Sequence, residues 1–232
     1  MSTQDPRIQH ALKAWEAWNH LGFVNRSDRL KKLTAELPQT RDASIKSLLR
    51  TLLDLSITLE PIHVMPGPTG ESNELYLNGR GVALVMGDNS ASKTAMVGQV
   101  MAALACGNCV VVQWNSNSDW VRDLVEKAHM FGLPEGVIQA LPEMPVEEAM
   151  AIEGIAIVAA VCSKEKARMM NRLLAQRNGL LVQLISETDP EHCTHLLQPD
   201  HLLRFITERT RTINTTAVGG NATLLELGSA EL

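Results

Sequence analysis

The chain has 232 residues, 45% hydrophobic and 20% charged, enough apolar mass for one substantial core or a core plus an appendage. Its formal net charge of -5, with only a mild basic excess spread over helical faces in the first fifty residues, excludes an obvious nucleic-acid binder. The longest aliphatic run, Gly154–Cys162, is far too short to span a bilayer, the opening residues are too polar for a secretory signal, and the four cysteines have no disulfide-scaffold spacing, so a cytoplasmic, reduced protein is expected.

Asp5-Pro6 caps a predicted helix whose apolar positions Ile8, Leu12, Trp15 and Trp18 fall on one face. A shorter helix is expected to start at Ser27 and to carry Leu30, Leu33 and Leu37. A third follows with the stripe Ile45, Leu48, Leu49, Leu52 and Leu55, ended by Pro61. Beyond it, two extended runs flank the Pro/Gly-rich loop of "IHVMPGPTGESNELYL", which predicts a β-flap projecting from the body. Pro66 and Pro68 limit how far its first run can pair, and Asn78-Gly79 signals a turn into "VALVM".

From Val82 onward strand and helix alternate. The predicted strands are "VALVM", "CVVVQW", "VIQAL", "IAIVAA" and "LLVQLI", with helices at Ser92–Ala105, Ser118–Met130, Val146–Ala151 and Ser163–Gln176. Continuous aliphatic runs of this kind suit parallel strands covered on both faces. The fold class is therefore α/β, a Rossmann-type doubly wound parallel sheet with N-terminal helices and a projecting β-flap.

Three stretches could carry chemistry. "GDNSASKT", Gly87–Thr94, matches the phosphate-cradling pattern G-x-x-x-x-G-K-[ST] except that Ser92 replaces the second glycine. A partner strand ending in Asp to organise magnesium is missing, since "AIVAAVCS" has no acid, so a strand-to-helix turn with an exposed Lys93 is the better reading. "HCTH", His192–His195, with His201 nearby, has metal-ligand residue types but no second Cys/His pair at finger-like distance. Surface histidines around a part-buried Cys193 are expected there. Cys106 and Cys109 have redox-pair spacing, but they straddle a helix end and a strand start, where a thiolate gains nothing from a helix N-terminus. Packing residues are the expectation.

"GQVMAALACGNCVVVQW" and "GLPEGVIQAL" resemble the cofactor domain of the aldehyde dehydrogenase superfamily, and "KAWEAWNHLGFVNRSDRLKKLTAEL" resembles that family's N-terminal helices. More narrowly, "PGPTGESNELYLNGRGVALVMG", "LISETD" and the ending "TERTRTINTTAVGGNATLLELG" resemble the C-terminal region of the proline utilization A family. That family joins proline dehydrogenase to NAD-dependent 1-pyrroline-5-carboxylate dehydrogenase, and its longer forms carry an extra aldehyde-dehydrogenase-like domain. The resemblance implies that the glycine-pair ending is an element of structure and assembly.

The family's site residues transfer poorly. Glu187 stands at the family's catalytic glutamate, but Asp189 and Pro190 replace the glycines that follow it. The region that would bring the nucleophilic cysteine is missing, and Cys193, six positions after Glu187, does not fit that role. Gln113 stands where the family lysine holds the adenosine ribose, with Trp114 in place of proline. In "AVCSKE", Ser163 and Glu165 match the turn beside the pyrophosphate, but Cys162 replaces the glycine that admits a phosphate. Ser90 aligns with the oxyanion asparagine, and Asn89 is one position early. No intact catalytic site is expected, Glu187 reads as a dispensable relic, and Ser90, Gln113, Ser163 and Glu165 are vestigial cofactor positions. No metal site is expected.

The organisation implied is N-terminal helices at 1–60, β-flap and entry strand at 61–86, the Rossmann-like domain at 87–210, and a C-terminal strand and assembly segment at 211–232. The expected function is non-catalytic: self-association as a homo-oligomer, most simply a dimer through the flap and C-terminal strand, or covering a partner enzyme of proline catabolism. No cofactor is expected. The rival is an NAD-dependent 1-pyrroline-5-carboxylate dehydrogenase fragment that needs another chain for its cysteine. A third class is a module binding another small molecule in the residual crevice.

Overall fold

In the computed structural model, residues 5–37, 42–114 and 118–214 are described. Helix α1 (Pro6–Asn19) starts where proline pre-sets the backbone, and the Asp5 carboxylate accepts the Arg7 N–H at 2.8 Å. It buries Ile8, Ala11 and Trp18, while Leu12 of the expected stripe is 37% exposed. Helix α2 (Gly22–Glu36) begins five residues before Ser27, where the sequence placed its cap. The reason is not local. The Glu60 carboxylate, far along the chain, accepts the Phe23 and Val24 N–H groups and satisfies the helix start. Ser27 is instead fully buried in mid-helix and donates to the Leu53 carbonyl at 3.0 Å.

Helix α3 (Ala43–Ile57) is capped by Asp42 and buries Ile45, Leu48, Leu49 and Leu52 as its periodicity predicts. Leu53 joins them, whereas Leu55 is only half-buried, and the helix stops at Ile57, ahead of Pro61. Arg26 ties α2 to the body: its guanidinium is 1% exposed and donates to the Ala105 carbonyl at 3.0 Å and the Asn19 carbonyl at 2.6 Å. Those are carbonyls at helix C-termini, which otherwise lack donors. Burial pulls its pKa down to about 10.

Strand β1 (His63–Met65) pairs antiparallel with β2 (Glu71–Gly79), His63 opposite Leu75. This is the expected flap hairpin, its first strand cut short before Pro66. The expected turn at Asn78-Gly79 is not one, because β2 runs through Gly79 and the next strand lies in a different sheet. The side chain of Asn19 instead accepts the Gly79 N–H at 2.9 Å, a tertiary bond that no dipeptide rule contains.

The main body follows as β3 (Val82–Gly87), α4 (Lys93–Ala105), β4 (Cys109–Trp114), α5 (Trp120–Met130), β5 (Ile138–Pro142), α6 (Val146–Ala151), β6 (Ile155–Val161), α7 (Lys164–Ala175) and β7 (Gln183–Glu187). A short 3-10 turn, His201–Phe205, then leads into β8 (Ile206–Asn214). Strands β3 to β7 form one parallel sheet in the order β5-β4-β3-β6-β7. This is the doubly wound arrangement, with its switch point between β3 and β6, where the chain changes direction across the sheet. The sheet core is aliphatic, with Val82 to Val85 and Val110 to Val112 fully buried.

One strand is displaced from its expected place. β7 starts at Gln183, opposite Ile157, and Leu180 and Leu181 are 93% and 92% exposed. Gly179, at φ +94°, turns the chain there, and the strand begins only where β6 offers a partner.

The chain divides into two compact units, Met1–Glu60 with Asn78–Thr207, and Pro61–Leu77 with Glu208–Leu232. In the second, the strand order is β1-β2-β8. Arg211 pairs with Glu74, and the Thr212 hydroxyl meets the Asn73 side chain at 2.6 Å. Ile62, Val64 and Ile213 are 53%, 81% and 44% exposed. The glycine pair and apolar ending, residues 215–232, lie outside the described residues, as does most of the expected assembly segment. Among the described residues, no helix is long and apolar enough to cross a membrane.

Candidate functional site

In a doubly wound sheet the binding crevice lies beyond the C-terminal ends of the strands, at the switch point. Here Asp88, the first residue after β3, occupies that point. Its N–H donates to the Val161 carbonyl at 3.1 Å, and its Oδ2 accepts the Ser163 N–H at 3.0 Å, so it bridges β3 to the head of α7. Its Oδ1 accepts the Ser90 N–H at 2.8 Å and the Ser90 hydroxyl at 2.5 Å. Burial pushes the Asp88 pKa up, but the hydrogen bonds from Ser90 and Ser163 and the charge of Lys166 outweigh it. The net result is a carboxyl held below its ordinary range and charged at neutral pH.

The helix starts that would meet an anion are capped from within. Ser163 accepts the Lys166 N–H of α7, and Ser92 accepts the Ala95 N–H of α4 while donating to the Pro190 carbonyl at 2.5 Å. Cys162, which follows β6, is fully buried. Ser90 and Ser163, two of the positions expected to be vestigial, thus meet on the two oxygens of Asp88. Glu165 is exposed in the first turn of α7. The sequence reading missed Asp88 as the organising group, although a D-x-S turn directly after the first strand is a legible signal.

Gln113 stands apart from that cluster, at the end of β4. It is 7% exposed, and its amide donates to the Met144 carbonyl at 3.3 Å. With Lys93, Trp114, Trp120 and Glu143 it lines a cavity of about 270 Å³ over the ends of β3 and β4. Lys93 is exposed, as the sequence implied, and sits over the Trp120 ring at 5.7 Å.

Glu187 ends β7 with no exposed surface and four donors around its carboxylate. Oε1 accepts from the Asp189 N–H and from His195 Nδ1, each at 2.9 Å, and Oε2 from the N–H groups of His195 and Leu196 at 2.8 and 2.9 Å. Against the expectation that this residue is dispensable stand these four hydrogen bonds, which tie it to the loop that follows. A buried carboxylate sharing four donors is a structural group whatever its ancestry.

The histidine segment also departs from expectation. His192 is exposed, and its hydrogen bond with Asp189 raises its pKa. His201, expected at the surface, is 2% exposed and packs edge-on to Phe205 at 5.4 Å. Neither of its ring nitrogens has a hydrogen-bond partner among the described residues, and burial, with help from Arg204, takes its pKa down to about 4. Among the described residues, no group of three or more His, Cys, Asp or Glu side chains could hold a metal ion. All four cysteines are free and buried. Burial pushes Cys106 and Cys109 up to about 12 and Cys162 and Cys193 up to about 11, so none is a ready thiolate.

Residues 49–188, more than half of the chain, match the model of the aldehyde dehydrogenase family. The chain belongs to the aldehyde dehydrogenase family. The bifunctional protein PutA of Rhizobium meliloti is 30% identical over 208 residues, covering 85% of this chain and 14% of that protein. The Escherichia coli PutA is 28% identical over 165 residues, 71% of this chain and 11% of that protein. A crystal structure of a Bradyrhizobium japonicum proline utilization A variant superposes with a TM-score of 0.67 at 26% identity, over 78% of this chain and 21% of that one. The fold is also that of an NAD-dependent benzaldehyde dehydrogenase from Corynebacterium glutamicum, at TM-score 0.64 and 18% identity, over 78% of this chain and 44% of that one. The chain therefore spans about a seventh of the length of the first of these relatives.

Proposed function

We propose that this chain is a non-catalytic aldehyde dehydrogenase family domain, related to the C-terminal part of proline utilization A, that works by association. Its partner is a second copy or an enzyme of proline catabolism whose surface it covers. One observation carries the reading: the charged Asp88 carboxylate sits on the Ser163 N–H at the switch point, where a dinucleotide would place its pyrophosphate. An anion there meets like charge and donors already spent, so the residues present do not fit NAD. The four buried, high-pKa cysteines supply no nucleophile from within the chain.

The association half of the reading is supported by the second unit. Its small three-stranded sheet leaves Ile62 and Val64 53% and 81% exposed, apolar side chains that a partner would cover. The tail "ATLLELG" adds an apolar segment by sequence. A symmetric dimer is the commonest arrangement for two copies. Replacing Pro61–Leu77 by a short linker and, separately, truncating after Asn214 should each lower the mass measured by light scattering. A wild-type monomer at tens of micromolar, or an oligomer whose mass neither change lowers, overturns self-association. The rival reading, a dehydrogenase fragment using NAD, draws on Ser163 and Glu165, retained at the head of α7.

A further inference from the structure

The cavity at the ends of β3 and β4 lies beside the Asp88 cluster and shares Asp88 with it. Its volume of about 270 Å³ is below the range of roughly 300–1,000 Å³ that encloses drug-sized molecules, so its occupant is small. Two indole rings form walls, each held by a cation: Lys93 lies 5.7 Å from the Trp120 ring and Arg122 lies 5.0 Å from the Trp114 ring. Three charged side chains line the space: Lys93, Asp88 and Glu143. The Asp88 oxygens are taken by Ser90 and Ser163, which leaves one cation and one carboxylate for a ligand.

Gln113 adds a polar group to the same wall. Its side chain is nearly buried, its amide nitrogen is used on Met144, and its carbonyl oxygen has no hydrogen-bond partner among the described residues although the residue lines the cavity. That oxygen can accept a hydrogen bond from a molecule in the cavity. We propose that this crevice is a site for a small zwitterionic amino acid. Lys93 takes its carboxylate, Glu143 and the Gln113 oxygen take its ammonium, and its carbon skeleton lies against Trp114 and Trp120. The signs and the small volume argue against a nucleotide, whose phosphates would be repelled by Glu143 and Asp88. No bond is made or broken.

The test is saturation-transfer NMR of the full chain with each of the twenty proteinogenic L-amino acids at millimolar concentration, and with adenosine. At least one amino acid should bind. The amine and the acid obtained by deleting its carboxylate or its ammonium should each bind about tenfold more weakly or worse. Lys93 and Glu143 are exposed, so Lys93→Met and Glu143→Gln should fold normally, as circular dichroism will check. Lys93→Met should weaken the amino acid about tenfold and leave its amine unchanged, and Glu143→Gln should do the same while leaving its acid unchanged. The proposal is overturned if no amino acid binds, if either half-molecule binds as well as the whole, if adenosine binds and no amino acid displaces it, or if both variants bind as wild type does. None of these outcomes depends on whether the chain associates, so this test and the light-scattering test fail separately.

Discussion

Replacing Glu187 by glutamine removes a charge from a site with no exposed surface while keeping the size of the side chain. The amide can present its oxygen to only one pair of the four donors. Its better orientation keeps oxygen toward the His195 and Leu196 N–H groups and turns the amino group toward Asp189 N–H and His195 Nδ1. His195 can shift its tautomer and accept there, because its ring is partly exposed, but the Asp189 N–H cannot. One orphaned amide plus the weakening of two charge-assisted bonds gives a loss of about 2 kcal/mol. Glu187→Ala orphans all four donors and should cost about 4 kcal/mol. Urea unfolding followed by circular dichroism measures both, read as a shift in midpoint at unchanged slope. A Glu187→Gln protein within about 0.5 kcal/mol of wild type would refute the reasoning and restore the residue to dispensability.

His201 predicts a pH effect of definite sign. A histidine whose folded-state pKa lies below its unfolded value stabilises above that value, so stability should be full above pH 6.5 and fall as pH drops toward about 4. The fall should be roughly 3 kcal/mol in all, and His201→Phe should flatten it; an unchanged slope in that variant would show that other groups carry the effect. The thiols give a second check: dithiobis-nitrobenzoate at pH 8 should titrate none of the four cysteines in the native protein within minutes and all four in guanidinium. One fast-reacting native thiol would contradict the burial and pKa of that residue.

The alternation from Val82 onward was legible because buried parallel strands write themselves as unbroken aliphatic runs, and Val82–Gly87 and Cys109–Trp114 fall where that pattern puts them. The failures share a cause, a partner distant in sequence. The start of α2 depends on Glu60, the run through Asn78-Gly79 has Asn19 at its end, and β7 begins where β6 pairs with it. The same holds at the site. Residue types at Gln113 and Cys162 raise the expectation of a cofactor crevice altered from the family pattern. That Ser90 and Ser163 share one carboxylate, and that Glu187 anchors a loop, required the donors to be seen in place. Two lysines of one sequence look alike on paper; only the fold shows that Lys93 stands over an indole ring.

The most direct test of the non-catalytic reading is calorimetric titration of the chain with NAD up to millimolar concentration. With the charged Asp88 carboxylate on the Ser163 N–H, no saturable heat is expected. A dissociation constant in the low micromolar range, about -8 kcal/mol of binding free energy, would contradict the account and favour the dehydrogenase fragment.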